Sequence, residues 1–270
     1  MNERKGKIML HVTEPGCPLK GVFSLTGVEK TDVYFDADVG TLVHEVMKEM
    51  IDRIMIGLDP VLQLSIDAVT SRDDRLMQTY NEDKLRVLLP VSNGYRWLEK
   101  EGFDVIKEHF LARESPLAVP LLDENDDPIS LMGKPVYISG TPDLVLDYAI
   151  IDWKSGKSRS TRHALQISVY SILSKLSGLT EDNLPGRIFY MGVPMKEKVI
   201  KKTGAVHKYY ERRIEGEKLE EYAMKWYASA LDYVELVRDG LEGGMQAGDQ
   251  ESNSDCYFCP YRSICWGDNE

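Results

Sequence analysis

Two acids and a lysine stand at the ends of two short apolar segments, DLVLDY and AIIDWK, which follow one another in the middle of the chain. Both segments are typical of strands. A strand advances by ~3.3 Å per residue, so a turn between the segments brings their outer ends together. We therefore expect Asp143 and Asp152 to lie close to each other. Side chains alternate along a strand, which predicts Lys154 on the face of Asp152 and Trp153 on the opposite face, towards the core.

This set of side chains suits the hydrolysis of a phosphodiester. Two neighbouring carboxylates repel each other unless a cation lies between them. A divalent ion such as Mg²⁺ or Mn²⁺ would act as a Lewis acid on a phosphoryl oxygen and lower the pKa of a bound water. Lys154 is placed to hold the phosphate or to position the water. The alternative is a plain β-hairpin with charged ends, because Asp-x-Lys also arises by chance.

The cysteines form a second candidate site. Cys256, Cys259 and Cys265 lie close together near the end of the sequence, and Cys17 lies near its beginning. In a reducing compartment such a set indicates metal or cluster ligation, or plain buried thiols, rather than disulfides. Thiolates bind zinc or an iron–sulfur cluster. Zinc sites usually combine two C-x-x-C pairs, or two Cys with two His, whereas this sequence has a single C-x-x-C.

The elements that must position these residues can be predicted from the apolar pattern. Helices are expected over 40–55, 60–77 and 83–100, with breaks near Tyr80–Asn81 and Pro90, and later over 162–178, ending at Gly178, and 217–241. Strands, antiparallel at first, are expected over 103–112, 116–122, 134–140, 143–148, 149–154 and 187–193, with a hairpin over 196–214 that turns at Thr203–Gly204. This order of elements predicts one α/β domain.

Composition restricts the possible functions. Hydrophobic residues make up 43% of the chain and charged residues 29%, as in globular proteins. No apolar run approaches the ~20 residues of a membrane span, and MNERKGKIMLHVTE lacks the apolar stretch of a signal peptide, so a cytoplasmic location is expected. The net charge of −11 argues against non-specific coating of nucleic acid. A local basic groove for DNA is still expected after the second acidic segment, from Lys154, Lys157, Arg159 and Arg162.

The residues around the two acids resemble the PD-(D/E)xK nuclease superfamily, in its RecB-like branch. The resemblance rests on Gly140-Thr-Pro-Asp143, followed by Ile-Ile-Asp152-Trp-Lys154 and then Ser-Gly. The second acid is Asp152 where many members of the superfamily have Glu, which is usual in this branch.

One motif upstream of the two acids and one downstream of them extend the resemblance. His44, in Gly-Thr-Leu-Val-His-Glu, matches a helical histidine of the branch, and Gln166-Ile-Ser-Val-Tyr170 matches its Gln-x-x-x-Tyr motif. The i, i+4 spacing places Gln166 and Tyr170 on one helical face, where they would contact DNA or brace the site. Glu108 would stand on the strand where this branch often has a further acid. The metal ligands that the resemblance implies are His44, Asp143, Asp152 and the carbonyl of Trp153.

The distribution of the cysteines resembles that of branch members with a four-iron four-sulfur cluster, among them AddB-type exonucleases and the iron–sulfur nuclease of CRISPR adaptation. The resemblance implies a 4Fe–4S cluster on Cys17, Cys256, Cys259 and Cys265, with zinc as the alternative. Closing so long a loop would stabilise the fold by ~4–5 kcal/mol, by analogy with a disulfide. The implied fold is α/β, a restriction-endonuclease-like mixed sheet flanked by helices, with the C-terminal iron–sulfur tail docked on the N-terminal segment. One nuclease domain would span 1–270, with its core over 40–214 and cluster-binding segments at 17 and 256–265.

The function that the resemblance implies is that of a metal-dependent DNA nuclease. It would be an exonuclease on single-stranded DNA or DNA ends, in CRISPR adaptation or in DNA recombination and repair. Its active-site residues would be Asp143, Asp152, Lys154, Gln166 and Tyr170. The alternative is a non-cutting subunit that binds DNA ends within a larger protein complex.

Overall fold

The computed structural model describes residues 1–4, 6–13, 17–29, 35–156, 159–192, 209–243, 259–261 and 265. Its helices are α1 (Pro18–Thr26), α2 (Phe35–Met55), α3 (Leu62–Thr70), α4 (Asp74–Glu82), α5 (Lys84–Glu101), α6 (Phe103–Glu108), α7 (Thr161–Leu176) and α8 (Glu217–Gly243). Its strands are β1 (Asn2–Arg4), β2 (Lys7–His11), β3 (Phe110–Arg113), β4 (Leu117–Pro120), β5 (Ser130–Leu131), β6 (Lys134–Gly140), β7 (Leu144–Leu146), β8 (Ala149–Lys154), β9 (Gly186–Tyr190) and β10 (Tyr210–Ile214). Within these ranges, none of the helices has the length and apolar character of a membrane span.

The strands form two mixed sheets. The central sheet has the order β10-β9-β8-β7-β3, and only its β8–β9 pair is parallel. The N-terminal sheet has the order β1-β2-β6-β4, with β5 also paired to β6, and its β2–β6 pair is parallel. The predicted fold class, a restriction-endonuclease-like α/β fold with helices around mixed sheet, is confirmed. Strands β1 and β2, and the division into two sheets, were not predicted from the sequence.

The central sheet separates two hydrophobic cores because its side chains alternate between two faces. On one face Leu144, Ile151 and Trp153 pack with the helices α2 and α5. On the other face Val145 and Ile150 pack with α7, α8 and the N-terminal sheet. Asp152 and Lys154 have the same parity as Ile150, and they therefore face α7.

The chain passes from the N-terminal sheet to the central sheet between Gly140 and Asp143. At this crossing the backbone of Gly140 lies against the ring of Tyr170. A Cβ atom on Gly140 would stand 2.5 Å from Tyr170 Cε1, closer than real Cβ contacts allow. The glycine of the Gly-Thr-Pro-Asp segment is thus required by the close approach of this ring.

Two predicted elements were wrong in type or continuity. The expected strand over 103–112 begins instead as the helix α6, which follows Gly102, a glycine with a φ of 94°, and buries Ile106. The expected helix over 60–77 is divided, because the side chain of Asp73 accepts hydrogen bonds from two backbone N–H groups and so begins a new helix, α4.

The break predicted near Tyr80–Asn81 falls two residues later, at Asp83 between α4 and α5, whereas the break predicted at Pro90 was wrong. Pro90 lies inside α5. Burial of Pro90 together with Val87 and Val91 holds α5 through the proline, although a proline removes one backbone hydrogen bond. Of the expected hairpin over 196–214, the structure describes the second strand, β10, whereas its turn at Thr203–Gly204 lies outside the described residues.

Candidate active site

Asp143 stands where the chain enters the central sheet, and two groups hold its carboxylate. The backbone N–H of Trp153 donates to Oδ2 at 2.6 Å. The Nδ1 atom of His44 lies 3.0 Å from Oδ1. His44 is carried by α2, which is fixed in the helical core by its buried neighbours Val43 and Met47. The fold thus brings together His44 and Asp143, which are 99 residues apart in the sequence.

A chain of polar contacts begins at Asp152 and ends in α7. Lys154 Nζ donates to Asp152 Oδ1 at 2.9 Å and to Gln166 Oε1 at 2.9 Å. Gln166 Nε2 in turn donates to the hydroxyl of Tyr170 at 2.8 Å. Tyr170 is only 4% exposed. In this structure Tyr170 therefore braces the site from the interior, and the ammonium of Lys154 is fixed between a carboxylate and an amide.

Burial and neighbouring charge shift the pKa values of His44, Asp143 and Asp152. The charge of Asp143 raises the pKa of His44 to about 8, although burial of the ring acts in the opposite direction. Burial raises the pKa of Asp152 to about 6, and the nearby ammonium of Lys154 offsets this only in part. Burial would also raise the pKa of Asp143, but the charges of His44 and Lys154 and the N–H of Trp153 outweigh it and lower that pKa.

The donor set fits a hard divalent cation. Asp152 Oδ2 is buried and accepts no hydrogen bond within the described part of the chain. Lys154 Nζ lies 2.7 Å from that oxygen, but only its contact with Oδ1 has hydrogen-bond geometry. In the metal-free protein the ammonium of Lys154 compensates the charge at this oxygen, and a divalent cation would take its place there. No group of three or more His, Cys, Asp and Glu among the described residues is already arranged as a metal site. His44 and Lys154 hold the carboxylates instead.

Glu108 does not stand on a strand, contrary to the prediction. It is the exposed last residue of α6, because the segment before β3 is helical. The acid beside Asp143 is Glu114, whose backbone N–H donates to the Asp143 carbonyl at 3.2 Å. Its carboxylate pairs with Lys48 at 2.8 Å. Glu114 has a φ of 42°, a strained conformation for a residue other than glycine. Glu114 was not predicted from the sequence, because the acid was expected within the strand over 103–112 rather than immediately after β3.

The predicted basic groove is described only in part. Arg159 and Arg162 are exposed near the start of α7, and Lys157 lies outside the described residues. The guanidinium of Arg159 lies 4.6 Å from the ring centre of Tyr210 on the edge strand β10. A cation and an aromatic ring thus meet on the α7 side of the central sheet.

The cysteine segments approach each other through an aromatic contact. Cys17 directly precedes α1, and Phe23 of that helix packs edge-on against Tyr261, with 5.5 Å between the ring centres. Tyr261 is 2% exposed, and its carbonyl accepts a hydrogen bond from the backbone N–H of Cys265 at 3.1 Å. Cys17, Cys259 and Cys265 are half-buried, whereas Cys256 lies outside the described residues.

Comparison with known proteins identifies the family. The model of the PD-(D/E)XK nuclease superfamily matches residues 16–266, and the chain belongs to this superfamily. Its members are typically metal-dependent nucleases that use ions such as Mg²⁺ or Mn²⁺ and bind DNA. No curated protein matches the sequence. A solved structure described as "Crystal structure of SSO0001" is similar over 97% of this chain and 88% of that chain, with 16% identity and a TM-score of 0.44.

Proposed function

We propose that this protein is a divalent-metal-dependent deoxyribonuclease, an exonuclease that acts on single strands or DNA ends. The observation that carries the proposal is the buried pair Asp143 and Asp152, with Lys154 held beside it by Gln166. Membership of the nuclease superfamily supports the same reaction class. A role in CRISPR adaptation or in DNA recombination and repair rests on the sequence resemblance alone.

The residues that would hold the metal are His44, Asp143, Asp152 and the carbonyl of Trp153. When bound, the ion would supply a Lewis acid for the phosphoryl oxygen and lower the pKa of an attacking water. His44 Nδ1 already lies 3.0 Å from Asp143 Oδ1, and the ring would become a ligand by giving up the proton that it shares with this carboxylate.

The remaining residues would orient the substrate. Lys154 already carries its positive charge next to the acids, and its Nζ would move from Asp152 to a non-bridging phosphate oxygen. Gln166 would keep the ammonium in place during this exchange, because its Oε1 is fixed by the bond from Nε2 to Tyr170. A lysine that is positioned before the substrate binds loses less side-chain entropy on binding.

The proposal can be tested with labelled single-stranded and double-stranded DNA in Mg²⁺ or Mn²⁺. Wild-type protein should release nucleotides from an end, and EDTA should stop the reaction. Asp152→Ala should abolish cleavage while DNA binding is kept, because this carboxylate serves the ion rather than the strand. Asp232→Ala, an exposed acid on α8, is the control and should cut at the wild-type rate. Binding without cleavage by the wild type would favour the non-cutting subunit, and cleavage by Asp152→Ala would refute this active site.

We also propose that Cys17, Cys256, Cys259 and Cys265 hold a 4Fe–4S cluster. The contact between Phe23 and Tyr261 supports this, because it joins the helix after Cys17 to the segment between Cys259 and Cys265. Thiolates are the donors that such a cluster requires. The cluster would tie the two ends of the domain together.

Anaerobic purification distinguishes the cluster from zinc. A 4Fe–4S protein should be brown and contain iron and acid-labile sulfide, whereas zinc is d¹⁰ and leaves a protein colourless. Cys17→Ala and Cys265→Ala should lower the stability by similar amounts, since either change opens the same long loop. Colourless protein with bound zinc would refute the cluster, and full cluster content in Cys17→Ala would refute this set of ligands.

A further inference from the structure

A cavity of about 290 Å³ opens next to the N-terminus of α7. Lys154 and Gln166 line this cavity and also belong to the candidate active site. The cavity is therefore the space into which the strand would continue from a phosphate held by Lys154.

The walls of the cavity are apolar on one side and polar on the other. Val12, Leu165 and the indole of Trp226 form the apolar side. Trp226 is fixed there because its Nε1 donates to the Val12 carbonyl at 2.8 Å. Ser160 and Arg162, at the beginning of α7, contribute polar groups. A nucleotide base has matching surfaces, because its faces are apolar and its edges are polar.

The apolar lining favours the base as the group that enters, whereas Lys154 and Arg162, which also line the cavity, suit the phosphates that flank it. His163 supplies a further polar group. It lines the cavity, and its Nδ1 lies 3.3 Å from the hydroxyl of Tyr190. Burial, together with the charges of Lys154 and Arg212, lowers the pKa of His163 to about 4, so the ring is uncharged at neutral pH. An uncharged imidazole forms hydrogen bonds with the edge of a base but no ion pair with a phosphate.

The size of the cavity favours an unpaired base over a base that is paired in a duplex. A volume of about 290 Å³ is at the lower end of small-molecule sites, which begin near ~300 Å³. One base can enter such a space, whereas a base in a duplex must first leave its stack, at a cost of a few kcal/mol. We infer that the cavity receives one unpaired base next to the scissile phosphate, so that the protein acts on single strands and frayed ends in preference to closed duplex. This inference rests on the proposed nuclease function and narrows its substrate.

The test fills the cavity and measures the affinity for DNA by fluorescence anisotropy. The probes are a labelled single strand, the same strand with one abasic position, and a blunt duplex, in an Asp152→Asn background that prevents cutting. Leu165→Trp fills the apolar side, and Leu176→Trp, at the exposed far end of the same helix, is the matched control. Thr13→Trp fills the mouth from an exposed position and serves if Leu165→Trp does not fold.

We expect the filled variants to lose about tenfold in affinity for the single strand, since one stacked base is worth on that order. Affinity for the blunt duplex should be unchanged, and Leu176→Trp should behave as the parent protein. The abasic strand should bind the parent more weakly than the intact strand, and the filled variants should not distinguish the two. Filled variants that bind the single strand as tightly as the parent would overturn the inference, while cleavage by the wild type would leave the proposed function standing. Protein that neither binds nor cuts any DNA would overturn both.

Discussion

Replacing the buried carboxylate of Asp152 by a neutral amide should stabilise the metal-free protein at neutral pH. Asp152 is 2% exposed, and burial raises its pKa from 3.8 to about 6. The folded state therefore binds more protons than the unfolded state between these two values, and stability falls as the pH rises through them. Each pKa unit corresponds to 1.36 kcal/mol, so ionisation of Asp152 costs the folded state about 3 kcal/mol above its pKa.

Asp152→Asn removes this cost without changing the shape of the side chain. In EDTA at about pH 7.5 the variant should unfold at a higher urea concentration than the wild type, by up to ~3 kcal/mol, and the difference should vanish near pH 3.5. The amide oxygen can still accept from Lys154, but the amide nitrogen then faces Nζ from the position of Oδ2, so the gain is smaller than this upper limit. Asp232→Asn on the surface of α8 should change stability little at either pH. An Asp152→Asn protein that is less stable than the wild type at pH 7.5 would refute our reading of the electrostatics of this site.

Three further predictions follow from other contacts of the fold. Gly140→Ala should destabilise the protein by about 1–3 kcal/mol in urea unfolding and reduce cleavage, because the new Cβ displaces the ring of Tyr170. The control Gly243→Ala places its Cβ in open space and should be neutral. Equal stability of the two variants would contradict this prediction. Glu101 accepts hydrogen bonds from Arg187 at 2.6 Å and from Tyr148 at 2.7 Å. Burial would raise the pKa of Glu101, but these hydrogen bonds outweigh burial and lower the pKa. The stability that Glu101 adds is therefore present above pH 4.5 and is lost as the pH falls through the lowered pKa. Glu101→Gln should therefore cost about 2 kcal/mol at pH 7 and less near pH 3, and a constant cost across this range would argue against the ion pair. The double variant Arg159→Glu, Arg162→Glu should weaken DNA binding and reduce the slope of log K against log[salt] by about 1–2, because fewer phosphate contacts release fewer counterions. An unchanged slope would show that the DNA does not pass the start of α7.

The hairpin at the candidate site could be predicted from the sequence because local patterns determine it. Short continuous runs of Leu, Val and Ile specify β7 and β8, and pairing of Leu144 with Ile151 brings Asp143 towards Asp152 without any help from distant parts of the chain. The spacing of Gln166 and Tyr170 on α7 likewise follows from helical geometry alone.

Contacts between distant segments could not be predicted in the same way. The segment over 103–112 contains Val, Ile and Phe and so favours a strand by composition, yet packing of Ile106 makes its first part helical. Glu114 is placed beside Asp143 by the pairing of β3 with β7, and nothing in the residues around it indicates that contact. The cavity at His163 is formed by the residues after β2, the end of β8, α7 and α8 together, which meet only in the folded protein.

We propose that Asp143 and Asp152 together hold the divalent ion that cuts DNA. The most direct test is a crystal structure of the wild-type protein soaked in Mn²⁺, with anomalous scattering used to locate the metal. We expect a Mn²⁺ peak about 2.1 Å from oxygens of both carboxylates, with His44 beside the ion, and no peak there in Asp152→Ala. Protein that cuts DNA in Mn²⁺ but binds the ion elsewhere, or that binds it equally well as Asp152→Ala, would contradict this account.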